Sequence, residues 1–533
     1  MNNTMNTLMM IAVNCFQKVL INRCRLYFLS FIFLFLLCLS KADYYAESSV
    51  SEEIAPSISI LSPRPNIPVI AREGESFSIE LKTKKKPANI SAFLSLETPD
   101  FSLPLQVKQT SEDNNLFSAT VPADIPEELY DLILKTDTDS QTCRRCVKVV
   151  ASFPEQFYFI QITDVHITFP IIADSMGRDN PNALFEQLAE EINIINPAFV
   201  LITGDVTMST EGITRMLFQK GMTLGEPVQE RLKLLIKEEF DTFLEILNKF
   251  RVPTFVLPGN HDMVGTVNRV AMQNWQDVMS RRYFSFDFSG AHFTGFDNSA
   301  QFEMAKMIYD AHPDFTEIDK EQLTWLEEDL KKNQDKKIKI LFYHVPYTKQ
   351  DKTAVTELAG RYGVKLTLAG HLHDDSAVRF GAVPTLWVRT ASNLDFGAYR
   401  VIRVRGDEIV SWGYDKPLPE HTKQKPDAAF AKYAFAKTPD DAGQVYSMRA
   451  YNFDVKYAPA NDGTATEVTA TITNKTPETF ENALLHFYMP KADDYKVSGG
   501  KLVQILKGKN FNLCYIKVNI TPNSTQTVSV SKQ

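Results

Sequence analysis

Basic charge is what this 533-residue chain most clearly lacks. Lys and Arg number 57 against 65 Asp and Glu, a formal net charge of −8. A nucleic-acid binder needs a basic face, so that class finds no support, and neither does attachment to anionic lipid through basic patches. Cysteine is also scarce, six in all. Cys15, Cys24 and Cys38 lie in the N-terminal leader-like stretch, leaving Cys143, Cys146 and Cys514, too few for a disulfide scaffold. A redox or zinc role for Cys143-Arg144-Arg145-Cys146 would need a helix N-terminus or a second cysteine pair, and neither is visible. A local Cys143–Cys146 disulfide is the expectation. There is no internal repeat, no low-complexity tract and no apolar run of about 20 residues, the length a membrane helix needs.

What is present is an ordinary globular composition, 44% apolar and 23% charged. The length calls for about three folded units. Lys18, Arg23 and Arg25 precede the apolar stretch Leu26–Leu39, which ends at Ser40-Lys41-Ala42 with small residues placed for cleavage after Ala42. That is signal-peptide anatomy, so residues 1–42 are read as a leader and the mature chain as secreted or periplasmic, without a transmembrane span. An uncleaved N-terminal anchor is the other reading.

Residues 43–152 hold short alternating runs such as Phe77–Leu81, Ala92–Leu96 and Tyr130–Lys135, separated by turn-rich pieces. These suggest a small β-sandwich. From 153 to 415 strands alternate with helices, the signature of a layered α/β domain. Residues 416–445 read as a linker, and 446–533 as a second β-sandwich.

Five strands of the middle segment end in residues of one chemical kind. Phe157–Thr163 runs into Asp164-Val165-His166, and Phe199–Thr203 into Gly204-Asp205. Thr254–Leu257 runs into Gly259-Asn260-His261-Asp262, Ile338–Tyr343 into His344, and Lys365–Ala369 into Gly370-His371-Leu372-His373. Ligands of layered α/β folds bind beyond the carboxyl ends of the strands. Of nine histidines, five fall at these points. Imidazole, carboxylate and amide donors suit divalent Mn, Zn or Fe. Glycine before Asp205, Asn260 and His371 allows tight turns and close backbone approach. A pair of such ions can clamp an in-line displacement at phosphorus and acidify a water near neutral pH.

This order of motifs, D-x-H, G-D, G-N-H-D, a lone His and G-H-x-H, resembles the calcineurin-like metallophosphoesterase superfamily over about 153–415. The resemblance implies a four-layer α-β-β-α sandwich, here flanked by two small all-β domains of immunoglobulin or fibronectin type. It implies one metal on Asp164, His166, Asp205 and His373 and a second on Asp205, Asn260, His344 and His371, with a metal-bridging hydroxide as nucleophile. His261 would face the phosphate as a catalytic acid, with Asp262 orienting its ring. Members with an iron–tyrosinate site carry Tyr three residues after the G-D aspartate. Met208 stands there, so that centre is not expected.

The remaining histidines, His292, His312, His421 and His486, read as structural. So do Asp297 and Asn298, and a solvated surface for Arg215, Lys220 and Arg231 is the default. Asn393 and Asp395 fit a substrate contact or a turn equally. Sequons at Asn89, Asn474, Asn519 and Asn523 matter only in a glycosylating host. The expected function is hydrolysis of phosphomono- or phosphodiesters, with small phosphate esters, extracellular nucleotides or phospholipid headgroups as substrates. The rival is a catalytically inactive exported protein that binds through its β domains. Oligomeric state leaves no trace in the sequence.

Overall fold

The computed structural model describes residues 58–83, 89–110, 115–137, 139–168, 181–208, 226–263, 275–299, 318–347, 353–373, 376–380, 383–387, 397–411, 448–449, 451–476 and 478–533. The leader, the linker, Asn393, Asp395, Arg215, Lys220, His312 and His421 lie outside these residues.

Eight strands come first: β1 (Ile58–Ser62), β2 (Val69–Arg72), β3 (Ser76–Thr83), β4 (Ile90–Leu96), β5 (Phe101–Gln109), β6 (Leu116–Thr120), β7 (Leu129–Thr136) and β8 (Ser140–Val150). A small β-sandwich was expected. The strands form one hydrogen-bonded order, β1-β3-β6-β5-β4-β7-β8-β2. The reason lies in β5, which pairs with β4 through Phe101–Leu105 and then with β6 through Gln106–Gln109. A strand that changes partner midway turns a corner of the sheet. The inward positions alternate, as Phe77, Ile79 and Leu81 show along β3. They meet Leu94, Tyr130, Leu132 and Val147 in one core.

The expected Cys143–Cys146 disulfide is not formed. Both thiols are free and buried. Each donates to a main-chain carbonyl, Cys143 to Pro63 at 3.2 Å and Cys146 to Cys143 at 3.1 Å. Burial pushes the Cys146 thiol well above its usual pKa, with Cys143 beside it adding to the shift.

The middle of the chain builds two sheets. In the first, β9 (Gln156–Ile162), β10 (Val200–Thr203) and β11 (Thr254–Leu257) run parallel, and the order β11-β10-β9 continues through later strands described below. In the second, β12 (Phe284–Phe288), β13 (Ala291–Gly295), β14 (Ile338–Phe342), β15 (Leu366–Ala369), β16 (Ser376–Phe380) and β17 (Val383–Trp387) take the order β12-β13-β14-β15-β17-β16. Strand β18 (Ala398–Arg405) returns antiparallel to β9, and β19 (Glu408–Ser411) closes that edge.

Because both faces of β10 and β11 are covered, all four residues of each strand are buried and three of the four are apolar. One face presents Ile160, Ile162, Ile202 and Val256 to helices α1 (Pro181–Ile195) and α2 (Glu226–Leu247), through Leu188, Ile192, Phe240 and Phe243. The other presents Phe159, Phe199 and Phe255 to Phe293, Ile340 and Leu368 of the second sheet. Phe159 stacks on Phe199 at 5.1 Å, and Phe199 meets Phe293 edge-on at 4.9 Å. On the far side, Leu341, Tyr343 and Ala369 pack on helices α4 (Lys320–Lys332) and α5 (Ala354–Arg361). Short helix α3 (Asn260–Met263) follows β11 directly.

The last strands are β20 (Met448–Arg449), β21 (Phe453–Ala458), β22 (Glu467–Asn474), β23 (Phe480–Pro490), β24 (Tyr495–Ser498), β25 (Lys501–Lys507), β26 (Phe511–Ile520) and β27 (Ser524–Lys532). Apart from β20, which pairs with β18, they form sheets β21-β22-β27-β24 and β23-β26-β25. Alternation along β26 serves two cores at once. Cys514, Ile516 and Val518 face Ile472 and Val530, while Leu513 and Tyr515 join the N-terminal core. The Tyr515 hydroxyl donates to Glu128 across that contact.

Candidate metal centre

Strands β9, β10 and β11 are parallel to one another, as are β13, β14, β15 and β17. Their carboxyl ends deliver the sequence-selected residues to one place. Asp164 and Asp205 accept and orient several of the others. The His371 N–H donates to Asp164 Oδ2 at 3.0 Å, and His373 Nε2 lies 3.0 Å from Asp164 Oδ1. The His261 N–H donates to Asp205 Oδ1 at 2.8 Å, and His344 Nε2 lies 3.2 Å from Asp205 Oδ2. Asn260 Oδ1 sits 3.0 Å from His344 Nε2 and 2.8 Å from His371 Nδ1.

Donor atoms of Asp164, His166, Asp205 and His373 lie within 4.8 Å of one another, and so do those of Asp205, His344 and His371. Asp205 belongs to both groups. The donor chemistry asks for a cation. His344 Nδ1 is committed to donating to the Thr203 carbonyl at 2.8 Å, so neutral His344 turns an Nε2 lone pair toward the acceptor oxygens of Asp205 and Asn260. His166 Nε2 and His373 Nε2 likewise face each other at 3.2 Å. Lone pairs converging in a buried site are satisfied by a shared positive ion.

Without that ion the charges fall on the side chains. Burial disfavours the Asp164 carboxylate, but His373 beside it prevails and holds it at about 2. Burial likewise opposes charge on Asp205, and His344 and His261 pull it well below the usual range. His344 resists burial through Asp205 and rises to about 9, whereas burial takes His166 down to about 3 and His371 to about 4.

The backbone is strained where it matters. Asp164, His166 and Asp205 each have φ of 53°, His371 70° and His373 52°. Non-glycine residues avoid this left-handed region at about 1–2 kcal/mol each. The glycines play a different part. Gly204 itself has a φ of 97°. A Cβ on Gly259 would stand 2.1 Å from Asp205 Oδ1, and one on Gly370 would stand 1.8 Å from Thr163 Oγ1. Close approach is therefore why those two positions carry no side chain.

One sequence expectation is corrected. Asp262 does not orient the His261 ring. Nδ1 of His261 lies 2.9 Å from the Met208 carbonyl, which takes that place. Asp262 instead accepts from Gly259 N–H at 2.8 Å, Val206 N–H at 3.1 Å, and Thr207 N–H and Oγ1 at 2.9 Å each. Its place one residue along α3 turns it under the loop, where it ties the Asp205 turn to the Asn260 turn. Burial and the Asp205 charge raise it to about 6. Thr207 and the Met208 carbonyl were not singled out from sequence, since a carbonyl leaves no mark in residue type.

The histidines read as structural behave so where described. His292 sits between Asp287 at 2.7 Å and Asp329 at 2.8 Å, and His486 contacts Arg251. Asp297 pairs with Arg282.

Residues 157–375 match the family model of calcineurin-like phosphoesterases. The middle of the chain is a calcineurin-like phosphoesterase domain. A probable glycerophosphodiester phosphodiesterase of Arcobacter nitrofigilis is 23% identical to this chain over 205 residues, 35% of this chain and 71% of that protein. Solved structures to which the chain is similar include a purple acid phosphatase from yellow lupin seeds, at 8% identity and a TM-score of 0.39, covering 64% of this chain and 69% of that one. Another is a phosphopantetheinyl hydrolase from Mycobacterium tuberculosis, at 14% identity and a TM-score of 0.23, covering 44% and 89%. The calcineurin-like domain is that of a metal-dependent phosphoesterase.

Proposed function

We propose that this chain is an exported phosphohydrolase that uses two metal ions and cleaves phosphodiesters in preference to phosphomonoesters. The observation that carries the two-ion reading is the membership of Asp205 in both donor groups. Asp164, His166, Asp205 and His373 would hold one cation, and Asp205, Asn260, His344 and His371 the other. Such a pair supplies an acidified water and neutralises charge on the phosphoryl oxygens. His261 donates its Nδ1 proton to Met208 O, so Nε2 is the atom turned toward the ester; in the doubly protonated ring its Nε2–H stabilises the phosphoryl oxygens and passes to the leaving oxygen, which leaves a neutral imidazole protonated on Nδ1. Its ring is partly accessible, 24% exposed against 0% for His344. Asp262 is a scaffold for both turns. The diester preference takes its support from the Arcobacter relative's name. Export takes its support from the basic and apolar pattern of residues 18–42, and the segmentation at 43, 153, 416 and 446 from the changes of sequence rhythm.

The test is hydrolysis of p-nitrophenyl phosphate and its bis-ester by metal-depleted protein resupplied with Mn(II) or Zn(II). Metal-dependent turnover with the bis-ester ahead is expected. Turnover of neither ester, with no ion retained on elemental analysis, would favour an inactive binding protein. Sequencing the N-terminus of exported protein should begin at Asp43.

A further inference from the structure

We propose that Asn298 is a positioning residue for His344, acting through the main chain of Val345. This role rests on the reading of His344 as a metal ligand. Strand β13 ends at Gly295, so β14 loses its neighbour just before it delivers His344. The Asn298 side chain takes the missing strand's place. Its Nδ2 donates to Val345 O at 2.7 Å, and its Oδ1 accepts from Val345 N–H at 3.0 Å. On the other side the Gly370 N–H donates to the His344 carbonyl at 2.9 Å, and the ring is held by Thr203 O. The peptide units flanking His344 are thus fixed from two directions.

Asn298 is itself held by a second clamp of the same form. The Gln322 amide on α4 accepts from the Asp297 N–H and donates to the Asp297 carbonyl, each at 3.0 Å. Asp319 caps α4 by accepting from Gln322 N–H at 2.9 Å, and Arg282 bridges Asp297 and Asp319. A continuous set of buried contacts therefore runs from the N-terminus of α4 through Asp297, Asn298 and Val345 to His344. Removing the Asn298 amide leaves two main-chain groups of Val345 unpaired in a buried place, which the chain relieves by moving. The residue that moves with it is the one whose Nε2 stands 3.2 Å from Asp205. Loss of a contact that orients a metal ligand typically weakens binding 10- to 100-fold.

The experiment is calorimetric titration of the metal-depleted full chain with Mn(II), for wild type, Asn298→Ala and Asn298→Asp, alongside kcat and KM on the bis-ester and thermal unfolding. In Asn298→Ala one of the two binding steps should weaken roughly 10- to 100-fold. The other should stay at its wild-type affinity, and kcat should fall with KM little changed. Asn298→Asp keeps the acceptor for Val345 N–H and should fall between the two, and it supplies the readout if the alanine variant does not fold. Two wild-type binding steps in a folded variant would overturn the role of Asn298 alone, as would equal weakening of both. A wild-type chain that binds no ion at all would overturn the metal reading and this role with it.

Discussion

At the scale of single residues, two histidines beside Asp205 are held in opposite ways. His344 is sealed, its Nδ1 proton given to Thr203 O and its other nitrogen aimed at Asp205 and Asn260. His261 is partly open, its ring tied through Nδ1 to Met208 O. The first arrangement suits a ligand and the second a proton donor. His261→Ala should therefore lower kcat about 10²- to 10⁴-fold while leaving the metal content unchanged, measured by elemental analysis beside steady-state kinetics. Loss of metal in that variant would contradict the assignment. The residue types at these positions were legible in the sequence because Asp, His and Asn so placed have few other uses. The orienting group of His261 was not, because its place is filled by a main-chain oxygen, and Asp262, adjacent in sequence, points the other way.

At the scale of elements, the centre is built from turns that follow parallel strands, and the turns are where the strain is stored. Five candidate donors sit at positive φ. The paired loops hold them there through Asp164 N–H to Gly204 O at 2.9 Å and His166 N–H to Asp205 O at 3.0 Å. A glycine substitution tests this closeness. Gly370→Ala would press a methyl group against Thr163 and Asp164 Oδ2. It should cost about 1–3 kcal/mol of stability and weaken metal binding, both readable by thermal unfolding with and without Mn(II). An unaltered melting curve would show that the turn has room. The strands that end in these turns were easily read from sequence, since burial on both faces makes runs such as Thr254–Leu257 mostly apolar. Edge strands such as β2, β16, β19 and β24 were missed, being four or five residues long with no clear period. The one-sheet order of the N-terminal unit was less legible, because β5 changes partner within one continuous strand, the switch at Leu105–Gln106 marked only by the neighbouring Pro104.

At the scale of the whole molecule, the β units at the two ends of the chain meet, and the C-terminal one packs on α1 of the phosphoesterase domain. Glu191 lies in that junction. Gln187 Nε2 and Tyr399 OH donate to it at 3.0 and 3.3 Å, and the Tyr451 N–H donates from the C-terminal side. Burial, against those hydrogen bonds, raises its carboxyl to about 8. Between its unfolded value of 4.5 and about 8 the folded chain binds a proton that the unfolded chain has lost. Stability therefore falls as pH rises through this window, by roughly 1.4 kcal/mol per unit of displacement. Glu191→Gln should flatten that fall and raise the melting temperature at pH 8 relative to wild type. A parallel pH dependence in the two proteins would show that Glu191 ionises freely.

Whether Asp205 joins two cation sites into one centre is read from elemental analysis of purified protein. Wild type should retain two divalent ions per chain. Asp205→Ala, folded by circular dichroism, should retain one or none and lose turnover of both nitrophenyl esters. Two ions retained by Asp205→Ala, or none by a folded wild type reconstituted with Mn(II) or Zn(II), would contradict it.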